Sequence, residues 1–75
     1  ERSPEEEMQF KELKAYYENA LSELPEKQRV VFLMSRKDGF KYQEIAEQLS
    51  ISVKAVEKRM SKALEFMRES LKQQI

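Results

Sequence analysis

The chain has no cysteine, no histidine, no tryptophan and no threonine, with one glycine and two prolines among 75 residues. Without cysteine there is no disulfide staple. Without cysteine and histidine the usual ligands of zinc and soft metals are missing, as are the thiol nucleophile and the commonest general base at neutral pH. No apolar run approaches the roughly 20 residues of a membrane span, and no signal-peptide pattern opens the chain. These absences argue against an enzyme, a metal or cofactor protein and a membrane protein. A binding module is the default, and the lack of cysteine fits a reducing compartment, with the cytoplasm expected. Scarce glycine and absent threonine, against abundant Glu, Lys, Leu, Ala, Gln and Met, favour helix over strand.

Seventy-five residues give room for one domain, 1–75. A chain of that size buries only about 60% of its unfolded surface, so the core is thin. It opens with Glu1 rather than Met and reads as a piece of a longer protein. Its zero net charge hides a segregation: residues 1–26 carry eight acidic and three basic side chains, residues 27–75 eleven basic and six acidic. Binding responds to that local field rather than to the sum.

Four helices are expected. Ser3 caps the first, Pro4 suits its first position, and Glu5, Glu6 and Glu7 sit at the positive end of its dipole. Phe10, Leu13, Tyr17, Ala20, Leu21 and Leu24 follow the spacing of one buried stripe up to Pro25. A second helix, Glu26 to Lys37, holds the unbroken apolar block Val30–Met34 and is expected at the centre of the core. Gly39 fits a left-handed terminating residue, with Phe40 folding back as its hydrophobic contact. A short third helix runs from Tyr42 to Leu49. After Ser50-Ile51-Ser52, with Ser52 as N-cap, a fourth runs from Val53 to about Gln73. Its stripe is Val56, Met60, Ala63, Leu64, Met67 and Leu71. Met8, Met34, Met60 and Met67 read as core fillers, and Tyr16 and Tyr17 as packing residues.

A short helix, a three-residue turn with a buried Ile51 and a helix with a polar outer face make a helix-turn-helix over residues 40–65. Ile45, Ala46, Leu49, Ile51 and Val56 set the angle between its helices. Opposite the apolar stripe lie Lys54, Lys58, Ser61, Lys62 and Glu65, flanked by Glu57 and Arg59. In a DNA major groove, Lys58 and Lys62 could reach guanine, Glu57 could accept from cytosine N4, and Ser61 is permissive. Lys54, Arg59 and the amides at the Ser52 cap suit phosphates; Lys41 and Tyr42 could hold the flanking strand. The alternative reading of the same lysines is a solvated face supported by Glu65 and Glu69.

These residues resemble a known family. Leu24-Pro25-Glu26-Lys27-Gln28-Arg29-Val30-Val31-Phe32 is similar to the opening of region 4 of the bacterial extracytoplasmic-function sigma factors. Gly39 to Leu49, with Tyr42-Gln43-Glu44-Ile45-Ala46, and Ile51 to Leu64 resemble, in order and spacing, its Tyr-x-Glu-Ile-Ala helix and valine-anchored recognition helix. The resemblance covers about residues 20–68. It implies an all-α four-helix domain of the region 4 type, without a wing, that reads the promoter minus-35 element in the bacterial cytoplasm as a monomer. It also implies an apolar groove for the flap of the RNA polymerase beta subunit, and an anti-sigma factor competing for these surfaces. Carried over by position, base reading falls on Glu57, Lys58, Ser61 and Lys62. Phosphate contact falls on Lys41, Tyr42, Ser52, Lys54, Ala55 through its backbone, and Arg59.

Three departures stand out. Lys41 replaces a common Ser or Thr cap, so the third helix is expected either to fray or to trade its cap for a phosphate contact; Ala55 replaces a common Thr; Glu57 sits where many members are basic. Two rivals remain at this point: the output domain of a response or quorum-sensing regulator, which shares the Glu-Ile-Ala and Ser-Val-Lys elements, and a helical protein-interaction module that never touches DNA.

Overall fold

The computed structural model describes the backbone of residues 4–74 and the side chains of residues 11–72. Among them the chain forms α1 (Pro4–Glu23), α2 (Glu26–Arg36), α3 (Tyr42–Leu49) and α4 (Val53–Gln74), and no strand. The all-α expectation holds, with each boundary within a residue or so of the one read from sequence. The roles expected of Ser3, Glu5, Glu6, Glu7, Met8 and Phe10 lie outside the described residues. No described helix is long and apolar enough to cross a membrane.

Each boundary has a local cause. A residue before proline is pushed towards extended backbone, which stops α1 at Leu24. Pro25 then opens α2, its carbonyl accepting the Gln28 and Arg29 amides at 3.0 and 2.9 Å. The last turn of α1 contains no basic residue. Arg29 supplies one from α2, its Nη1 donating to the carbonyls of Ser22 at 3.1 Å and Leu24 at 3.2 Å. That satisfies carbonyls a helix end otherwise leaves bare.

At the end of α2, Gly39 takes φ +75, a conformation glycine adopts without steric cost. The Phe40 amide returns to the Met34 carbonyl at 2.9 Å. The Phe40 ring does not follow: it stays 36% exposed, and Met34 and Tyr42 are the residues of that corner that pack on the core. Fraying of α3 is countered by Glu44, whose Oε1 accepts the Lys41 amide at 2.8 Å. A lysine ammonium has no lone pair to complete the reciprocal half of such a cap.

The core is apolar throughout: Ala20, Leu24, Val31, Phe32, Ile45, Ala46, Val56, Met60, Ala63 and Met67 are buried, and no described polar residue is. Four of these ten belong to α4, which packs against each of the other three helices. The centre is therefore α4, not α2. Within Val30–Met34 only Val31 and Phe32 are buried, because an 11-residue helix in so small a domain meets neighbours on one side only. The α1 stripe is likewise only partly covered. Ala20 and Leu24 are buried, whereas Leu13 is 48% and Tyr17 37% exposed. Tyr17 still lays its ring against Phe32, with centroids 6.3 Å apart and planes tilted by 49°.

Candidate nucleic-acid interface

The bend between α3 and α4 is fixed from both sides. Ser50 closes α3 in the left-handed region at φ 55, ψ 45. Its amide reaches the Glu47 carbonyl at 3.3 Å and the Ile51 amide reaches Ala46 at 3.0 Å, the paired return bonds of a Schellman ending. Ser52 then caps α4, its Oγ accepting the Ala55 amide at 3.1 Å. Ile51, just before the cap, is half-buried rather than buried and packs against the cluster that contains Val56. A residue before the cap packed towards the fourth helical position fixes the angle at which the chain enters the helix.

That bend sorts the faces of α4. Val56, Met60, Ala63 and Met67 are between 0% and 4% exposed. Lys54, Glu57, Lys58, Ser61 and Lys62 are exposed; Ala55 and Arg59 are half-buried. Lys41 and Ser52 are exposed, and Tyr42 is half-buried with its ring on the core. The first turns of α2 and α3 carry Glu26 and Glu44, whereas that of α4 carries no acid. The positive end of the α4 dipole is thus left uncompensated, a favourable place for a phosphate.

Two of the expected site residues sit in particular local surroundings. The Ala55 amide is already spent on the Ser52 hydroxyl, so it is not free for a phosphate. Capping geometry leaves the amides of Val53 and Lys54 as those without an intrahelical acceptor. Lys62 differs from Lys58: it lines a groove with Glu23, Pro25, Gln28, Glu65, Phe66 and Glu69. Glu23, Glu65 and Glu69 line that groove with it, so an acidic rim borders the basic face there. No described group of three or more acidic, His or Cys side chains is arranged to hold a metal ion.

A second surface lies elsewhere. Leu13, Tyr17 and Leu21 of α1, Leu33 of α2 and Leu71 of α4 line an open groove of about 730 Å³. Lys14, Glu18, Arg36 and Lys37 complete its lining. Leu33, expected in the core, is one of its walls. The resemblance implied an apolar groove, but the residue pattern did not locate it, because the same spacing that marks a stripe as apolar does not say whether anything covers it.

The model of the family described as "Sigma-70, region 4" matches residues 14–67, from the middle of α1 through most of α4. The chain is 40% identical over 63 residues to the ferric citrate uptake sigma factor FecI of Escherichia coli (strain K12). That match covers 84% of this chain and 36% of the relative. The chain therefore spans little more than a third of the length of that relative. The four helices, the braced α3–α4 bend and the matched residues agree: the chain belongs to the sigma-70 region 4 family, as the region 4 of an extracytoplasmic-function sigma factor.

Proposed function

We propose that this domain seats α4 in the major groove of the promoter minus-35 element, as part of a sigma factor that directs RNA polymerase in the bacterial cytoplasm. It binds as a monomer. One observation carries the reading: α4 hides one face completely in the core while its opposite face turns Lys54, Lys58 and Ser61 to solvent. Glu57, Lys58 and Ser61 read bases, with Lys62 at the margin of the interface. Lys41, Lys54 and Arg59 bind phosphates together with the Ser52 hydroxyl, the rim of Tyr42, and the free amides of Val53 and Lys54. The groove of α1, α2 and α4 receives the flap of the beta subunit, and an anti-sigma factor competes for it.

The test is selection of a preferred duplex from a randomised pool, then titration at several salt concentrations. Four to six phosphate contacts give a slope of log affinity on log salt of about −4 to −5. Lys58→Ala costs about 1–3 kcal/mol on the selected site and relaxes its sequence preference. Lys62→Ala costs less, because Lys62 lies where three carboxylates border the basic face. A salt-independent affinity, or a Lys58→Ala loss equal on every sequence, rejects this assignment.

A further inference from the structure

Val53 is exposed without a structural reason. It is 40% exposed at the first position of α4 and is not among the side chains packed on the core, whereas Leu64 and Phe66 of the same helix are. Among the other large apolar side chains left exposed, Leu13 and Tyr17 wall the groove and Phe40 sits between α2 and α3. We propose that Val53 is a specificity-determining residue that recognises thymine through its C5-methyl group; this rests on the DNA-binding reading above and extends it.

The methyl of thymine is the apolar feature on the major-groove edge of the bases, and N-terminal residues of a recognition helix are the ones that reach base edges. Val53, Glu57 and Ser61 stand at i, i+4 and i+8, so they form one row along α4. The row offers a branched apolar group, a carboxylate acceptor and a hydroxyl. Val53 is well held for such a contact. The Ser52 cap and the Ile51 packing fix the first turn, and a β-branched side chain has little χ1 freedom to lose. One helical turn, about 5.4 Å, corresponds to one or two base steps of roughly 3.4 Å. The thymine therefore lies one or two pairs from the cytosine that Glu57 accepts from.

The experiment uses the 75-residue chain and its selected duplex, with each thymine replaced in turn by uracil, which lacks only the methyl. The expected result is one position where uracil weakens the wild-type chain about fourfold, the value of one buried methyl. Val53→Ala loses that discrimination with an unchanged thermal melt, while Lys58→Ala binds more weakly yet keeps it. Equal uracil profiles for the wild-type chain and Val53→Ala overturn this proposal and leave the DNA-binding reading intact. Failure to select any duplex overturns both.

Discussion

Ser50 holds φ 55 and ψ 45 at the corner on which the interface depends. An L-residue in that region costs roughly 1–2 kcal/mol, and glycine there loses about 0.5–1 kcal/mol of that advantage through its freer unfolded chain. Ser50→Gly therefore stabilises by about 0.5–1 kcal/mol and raises the melting temperature by about 2–8 °C. DNA affinity is expected to stay the same, since the return bonds from Ser50 and Ile51 use only backbone atoms. A lower melting temperature would show that the serine side chain holds the corner in a way the backbone bonds do not explain. At this scale much of the candidate surface was legible in the sequence. Ser52 declared its cap by residue type and place, and Lys54, Lys58 and Ser61 declared their face by spacing. The Ala55 amide was expected at a phosphate, although a serine cap takes an amide two or three residues on, as Ser52 does here. The acidic rim beside Lys62 was not legible, because Glu23 comes to the same groove only through tertiary packing.

Helix boundaries follow local chemistry, so they could be read from Pro25, Gly39 and Ser52 alone. Which helix forms the centre could not, because an apolar run records a residue's tolerance for burial and not the neighbours that provide it. The contrast is sharpest inside α2, where Phe32 is 4% exposed and the next residue, Leu33, walls the open groove. Phe32→Ala removes a buried ring and its contact with Tyr17, at an expected cost of about 3–5 kcal/mol. Leu33→Ala leaves a dent in a surface rather than a cavity, and costs about 1 kcal/mol. Urea denaturation of the two variants checks the difference. Equal losses would restore α2 to the middle of the core and remove Leu33 from the groove.

The molecule is longer than its mass requires. Its radius of gyration is 14.5 Å, with extents of 45 × 26 × 14 Å, against about 11 Å for a compact chain of 75 residues. Two long helices, α1 and α4, outrun the short α2 and α3, and Leu13 in the middle of α1 stays 48% exposed. Leu13 and Leu71 both line the groove. The groove is set by α1 and α2 with the far part of α4, the residues proposed to face DNA by α3, the bend and the near part of α4. Separate surfaces on one rigid helix predict separable losses. Leu13→Gln removes an exposed apolar contact, so the fold changes by no more than about 0.5 kcal/mol. Its affinity for an isolated beta-subunit flap fragment falls by about 1–2 kcal/mol, the worth of one leucine buried on docking, while its DNA titration is unchanged. Lys58→Ala shows the reverse pattern. If either variant weakens both partners equally, the two surfaces are one, and the flap docks against the basic face of α4 rather than the groove on α1.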